Sequence, residues 1–306
     1  MVNDQLSNLV GQISLTPYQA IGIPIALIGA VFLSIGAQLQ HRGVSKVDGT
    51  HEVGAKSGLS MGQLVLLIQR PSWVFGTLLL TLAIVIQLIS LAFAPLIVVQ
   101  PLGVVAMVLT NVINSRVNGI APDARVRGSI ALAVLGIGIF VAFSAVYAFE
   151  RALSDSQLLF IMWLLAAVIV AVVTSFVIFR QRLRAMFYIV AAGTLYGFVV
   201  TITKVLINRW QSNQIDAFMI LCLAGLVVAA LLGGYFVQTA YSVGSPDLVI
   251  AGLTVIDPLV AVGIAITVLG EADRFPPFAL AGLAIGGALS VVGVVLLARH
   301  HPQTLH

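Results

Sequence analysis

From residue 18 to residue 298 the chain is a series of long apolar runs separated by short polar connections. The runs predict helices over 18–40, 72–92, 95–115, 126–147, 156–179, 185–207, 217–241, 245–269 and 276–298. Each is long enough to cross roughly 30 Å of hydrocarbon as a helix. Apolar positions follow one another without strict alternation, which excludes a transmembrane β-barrel. A shorter stretch, MGQLVLLIQRPSW at 61–73, is too short to cross, and 61–71 is expected to lie at the interface as an amphipathic segment. The expected fold is all-α, a polytopic membrane bundle of about nine helices.

Composition sharpens this reading. Of 306 residues, 60% are hydrophobic and 8% are charged, against about 25% charged in an ordinary soluble domain. The net charge of +4 is spread over connections between runs, so it does not form a basic face for nucleic acid. The single Cys222 lies inside an apolar run, which excludes a disulfide framework or a cysteine metal site. The opening MVNDQLSNLVGQISLTPYQA lacks Lys and Arg, so the first span is read as retained, with 1–17 outside the cytoplasm.

Charge placement predicts orientation. Alternate connections hold Arg42, Lys46, Lys56 and Arg70, then Arg116, Arg125 and Arg127, then Arg180, Arg182 and Arg184, and finally Arg299. The opposite connections hold Arg151, Arg209 and Arg274, with Lys204 near the end of its span. The first set is expected in the cytoplasm. The N-terminus is then outside, the tail 299–306 inside, and the protein in the cytoplasmic membrane.

Two stretches resemble one another. VVQPLGVVAMVLTNVINSRV followed by RGSIALAVLGIGIFVAF (98–143) parallels VIDPLVAVGIAITVLGEADR followed by LAGLAIGGALSVVGVVLLA (255–298). Each sets a polar residue before Pro-Leu, then a half-span, a polar turn and a Gly-rich closing span. The turns at 116–127 and 270–275 fall on opposite sides of the predicted topology. That predicts an inverted repeat, a first unit of four helices over 18–147 and a second of five over 156–298, as in secondary transporters.

These motifs carry a family resemblance. The closing DP…LGE…GLAIGGALSVVGVVLL is similar to the repeat of the drug/metabolite transporter superfamily. RPSWVFGTLLL…LAFAPLIVVQPLGVVAMV (70–108), Lys204 in TITKVLIN and QTAY (238–241) resemble its NIPA branch of magnesium transporters. Where that branch carries an acid and an asparagine in its second span, this chain has Ile84 and Gln87. The resemblance implies transport, with a divalent cation such as Mg²⁺ as cargo.

The candidate residues are those the membrane would otherwise exclude. Asp257 is an acid deep in a span, where charge costs about 2.5–3.5 kcal/mol on insertion scales. Pro258 removes a helix donor beside it. With Thr254 they are expected to form a broken helix lining a substrate or ion site, Asp257 being also the candidate metal or proton contact. Gln100 and Pro101 are their counterparts in the first repeat copy. Thr194, Gly197, Thr201, Lys204 and Asn208 share one helical face. That face either borders a cavity or ends in a lysine that snorkels outward. Gln87, Asn111, Gln238 and Tyr241 are either ligand contacts or interhelical hydrogen-bond partners.

No Walker loop, Ser–His–Asp set or His/Cys/Glu metal spacing occurs, so no cofactor and no enzymatic chemistry are expected. The expected partners are a small solute or cation, membrane lipid and a second copy of the chain, not nucleic acid. The expected function is a secondary transporter or facilitator. The alternatives are a lipid-headgroup or metabolite exporter or flippase, and a non-transporting scaffold of an envelope-assembly complex.

Overall fold

The computed structural model describes residues 17–48, 69–117, 123–150, 153–179, 184–243 and 246–300. The segments 1–16 and 301–306 and most of the expected interfacial piece lie outside the described residues. Among the described residues the chain forms nine helices. They are α1 (Pro17–Asp48), α2 (Pro71–Phe93), α3 (Leu96–Val117), α4 (Ala124–Tyr147), α5 (Asp155–Phe179), α6 (Ala185–Gln211), α7 (Ala217–Val243), α8 (Pro246–Thr267) and α9 (Pro277–His300). All nine are long and apolar enough to cross a membrane.

Every apolar run became a helix because hydrocarbon cannot satisfy backbone polar groups, whereas a helix bonds them internally. Local signals set several ends. Pro71 opens α2, where its missing donor would be idle anyway. Pro71, the last residue of the expected interfacial piece, belongs to this first turn of α2. The Asp123 carboxylate accepts from the Val126 amide at 2.7 Å and caps α4.

Glycines fix which helices touch. On α1 and α2, a Cβ at Gly36 would lie 3.0 Å from the Gly76 carbonyl, and one at Gly76 2.8 Å from the Gly36 carbonyl. On α4 and α9, a Cβ at Gly136 would lie 2.7 Å from the Gly286 carbonyl, and one at Gly286 2.7 Å from the Phe140 amide nitrogen. Gly193 and Gly197 of α6 receive Ile256 and Val260 of α8. Three backbone-close pairs result, which is what small residues accomplish in membranes. Between them α3 is central, packed on α1, α4 and α8, and its first-turn residues Leu96, Ile97, Val98 and Val99 are fully buried. At the periphery, α5 and α7 turn Trp163 and Ile220 outward, toward lipid.

This packing makes a direct prediction. Gly286→Ala should lower the melting temperature in detergent, by the equivalent of about 1–3 kcal/mol for overpacking against backbone. Gly103→Ala, with nothing within 4 Å of the added methyl, should leave it unchanged or slightly higher. Equal melting of the two variants would contradict the α4–α9 contact.

Candidate functional site

The helices α3 and α8 both run through their prolines without interruption. The broken helix expected at Asp257-Pro258 is therefore not found. Losing one donor removes one rung of the ladder and the others hold. Pro258 still leaves the Thr254 carbonyl without its helical donor, because that donor would be the amide four residues on.

Around these two prolines lies a narrow, open cleft of about 60 Å³. Pro101 and Val104 of α3, Phe140 of α4, Thr254, Pro258 and Val262 of α8, and Ser290 of α9 are among its walls. All of its lining residues except Thr254 and Ser290 are apolar. The Thr254 hydroxyl donates to its own helix, at the Ile250 carbonyl, 2.7 Å away. The counterpart prolines of the two sequence copies thus share one cavity.

Asp257 is not on that cavity. The cleft takes one flank of α8, while Ile256, the Asp257 backbone and Val260 meet Gly193 and Gly197 of α6. The Asp257 Oδ1 atom is buried with no hydrogen-bond partner. Asp257 is close enough to Tyr196 of α6 to interact with it electrostatically, and Tyr196 in turn with Tyr241 of α7. Among the described residues no three His, Cys, Asp or Glu side chains come together as a metal site. Asp257 is therefore an isolated acid, without the oxygen cage a hard dication requires.

The most heavily bonded polar group lies elsewhere, where α2 stops and α3 starts. Ala94 is extended (φ −135°, ψ 150°) and Pro95 follows it, so the last carbonyls of α2 and the first amides of α3 lose helical partners. Lys204, fully buried, donates from Nζ to the Leu91 carbonyl, to the Ala94 carbonyl at 3.0 Å and to Glu150 Oε1 at 2.7 Å. On the other side, the Glu271 carboxylate accepts from the Leu96 amide at 3.0 Å and the Ile97 amide at 2.7 Å. A cation thus meets the negative end of α2 and an acid the positive end of α3.

Gly270, at φ 68°, turns the chain so that Glu271 points back into the bundle. Its backbone is held as well, by Glu271 N donating to the Ala265 carbonyl and Phe149 N donating to the Glu271 carbonyl. Burial pushes the Glu271 carboxyl up from 4.5 to about 7, although the two amides and the Lys204 ammonium pull it down.

Lys204 therefore neither borders a cavity nor snorkels. At Gly197, Thr201 and Lys204 its helical face is buried against α8 and the α2–α3 junction. Thr201 on that face is buried and donates to the Gly197 carbonyl at 2.8 Å, and Thr194 is half-buried. Gln100 is buried beside Pro101. Asn111 donates to the Met107 carbonyl of its own helix at 2.9 Å, and Gln87 is half-buried. Gln238 and Tyr241 are exposed on α7, away from the cleft lining. Ile84 is 60% exposed, so its position faces out of the bundle.

Glu271 and Glu150 were missed in the sequence because both sit in connections, where charge is unremarkable. The available signal was an acid placed directly after glycine at the close of a span.

Comparison with known proteins adds little chemistry. The chain is 24% identical over 298 residues to an uncharacterized protein of Corynebacterium glutamicum, covering 93% of this chain and 96% of that one. No family model matches the chain, and no solved structure matches it.

Two outcomes follow from the junction. Lys204→Met should destabilise the protein by about 3 kcal/mol, the low end for breaking a buried charge pair, because Glu150 is 35% exposed and screened by solvent. Thermal melts of Lys204→Met and Lys204→Arg against wild type check this, Met losing clearly more than Arg.

The second outcome concerns pH. The folded Glu271 pKa is raised, so its contribution is fully present below about 4.5 and declines as pH rises to about 7. The stability difference between wild type and Glu271→Gln should shift across that window and be flat above it. A difference that does not vary between pH 4.5 and 7 would contradict the burial of Glu271.

Proposed function

We propose that the protein is a secondary transporter or facilitator that moves a small organic solute by alternating access around the α3–α8 cleft. The observation that carries this reading is the meeting of Pro101 and Pro258, counterparts in the two sequence copies, on one cavity among four helices. Helices weakened by proline at facing positions can bend about the cavity, whose polar points are Ser290, Thr254 and the freed Thr254 carbonyl. Binding near the interface between repeats is the arrangement secondary transporters use. The packing of α3 and α4 against α8 and α9 supports reading 98–143 and 255–298 as two units of one inverted repeat. Asp257, behind the cleft on the α6 flank, is the group whose charge state would answer to movement of α8 over Gly193 and Gly197.

The divalent cation implied by the NIPA resemblance is not favoured. The cleft lining holds no acid, and Asp257 has no second ligand beside it. We place the protein in the cytoplasmic membrane, N-terminus outside, since exposed Arg70, Arg116, Arg125, Arg127, Arg184 and Arg299 mark one end of the helices.

Purified protein in liposomes, given a panel of organic solutes, Mg²⁺ and a pH gradient, tests the proposal. Wild type should move an organic solute, and Asp257→Asn at matched reconstitution should lose at least about tenfold in flux while melting normally. Asn keeps hydrogen bonding but carries neither charge nor proton. Normal flux in Asp257→Asn would reduce the acid to a packing role. Absence of flux for every solute, with a membrane phenotype dependent on a partner, would favour the scaffold.

A further inference from the structure

We propose that the cleft takes the hydrocarbon chain of an acidic membrane lipid, and that the solute of the transport reading is such an amphiphile, drawn sideways from the bilayer. This rests on the transport reading for what the occupant is there to do.

Three observations carry it. The first is the lining: Val104, Phe140, Leu259, Val262 and Val291 present hydrocarbon, and the Thr254 hydroxyl is already bonded within α8. A hydrated ion or sugar would lose its water there without replacement, whereas an alkyl or isoprenoid chain loses nothing. The second is where the cleft opens. Leu259 is on its wall and also 52% exposed, and it sits near the middle of a membrane-crossing span. The mouth therefore faces lipid, and Asp257 is kept off it on the α6 flank.

The third is charge. Three of the four helices that wall the cleft carry exposed arginines at the same end of the bundle. Arg116 closes α3, Arg125 and Arg127 open α4, and Arg299 lies in the last turn of α9. The acid described nearby, Asp123, is engaged in capping Val126. At 1.5 Å per residue, Arg299 stands about 8 Å beyond Val294 along α9, and Arg116 about 18 Å beyond Val104 along α3. A lipid with its phosphate at these arginines would reach the cleft with its chain. Guanidinium groups bind phosphate through paired donors. The surface potential of anionic lipid adds to that attraction.

The test uses the full-length protein in nanodiscs doped with a diazirine-tailed phosphatidylglycerol or, in parallel, a diazirine-tailed phosphatidylcholine. Adducts are mapped by peptide mass spectrometry after irradiation. Labelling should concentrate on residues 254–262 and 290–294, at least about fivefold over the lipid-facing residues of α5, and more with the anionic probe. Val262→Trp, which fills the cleft, should remove that excess. Arg116→Gln with Arg299→Gln should remove the headgroup preference and leave chain labelling in place. Where Val262→Trp does not insert, competition by unlabelled phosphatidylglycerol on the wild type gives the same reading.

Adducts spread evenly over the outward faces of α5 and α7, or cleft adducts unchanged in Val262→Trp, would overturn the proposal. So would equal labelling by both probes. Cleft labelling without flux would leave the lipid site standing and remove the transport reading. Flux of a water-soluble solute without cleft labelling would do the reverse.

Discussion

A helix that stops inside a bundle leaves carbonyls without donors, and one that starts there leaves amides without acceptors. Where the junction is buried in protein, neither can turn to water. The α2–α3 junction has both problems within four residues, Phe93 to Leu96, and three side chains from the other half of the chain resolve it, Gln211 donating to the Ala92 carbonyl beside the two charged groups. Lys204 of α6 closes the carbonyl side and Glu271 of the α8–α9 connection closes the amide side. The junction in turn positions α3, whose buried first turn leads directly to Gln100 and Pro101. Without Lys204 and the Glu271 carboxyl, the end of the helix that forms one wall of the cleft would lose its tertiary bonds.

The functional geometry divides across α8. One flank carries Thr254, Pro258 and Val262 to an apolar cavity shared with Pro101. The other flank carries Asp257 to the glycine face of α6, beside Tyr196. Glycine at positions 193 and 197 lets α8 sit close against α6 beside the acid. That separation explains how a span can hold both an acid and a hydrocarbon-lined cleft. It also favours an amphiphile over a dication, since the acid and the cleft do not form one coordination sphere.

Much of the architecture was legible in the residues. Among the described residues nine apolar runs became nine helices with ends within about four positions, except that α1 continues eight residues past its expected end at 40, because lipid leaves a long apolar segment no other way to satisfy its backbone. Gly193, Gly197 and Gly286 are packing positions, where a side chain would meet the neighbouring helix. The likeness between the two Pro-Leu segments pointed to the prolines that meet at the cleft. The sequence could not show whether a proline would break its helix, since neighbouring rungs decide that, and here they held. Nor could it show whether the polar face of α6 would border a cavity or be packed. Lys204 sits in a stripe of polar and small residues that reads as a cavity wall, yet its ammonium is consumed by backbone carbonyls some 110 residues away. Glu271 was hidden for a related reason. An acid in a short connection reads as solvated until tertiary structure folds the connection inward.

The amides of Leu96 and Ile97 offer the most direct test of this account. They belong to the first turn of a helix, where no intrahelical acceptor exists, so slow hydrogen exchange there can come only from tertiary bonding or exclusion of water. Residue-resolved exchange in nanodiscs should find both amides protected in the wild type, far more than the first-turn amide of Arg125. Lys204→Met and Glu271→Ala should both speed them. Wild-type exchange at Leu96 and Ile97 as fast as at Arg125 would contradict the charge-held junction on which the arrangement of α3, α8 and the cleft depends.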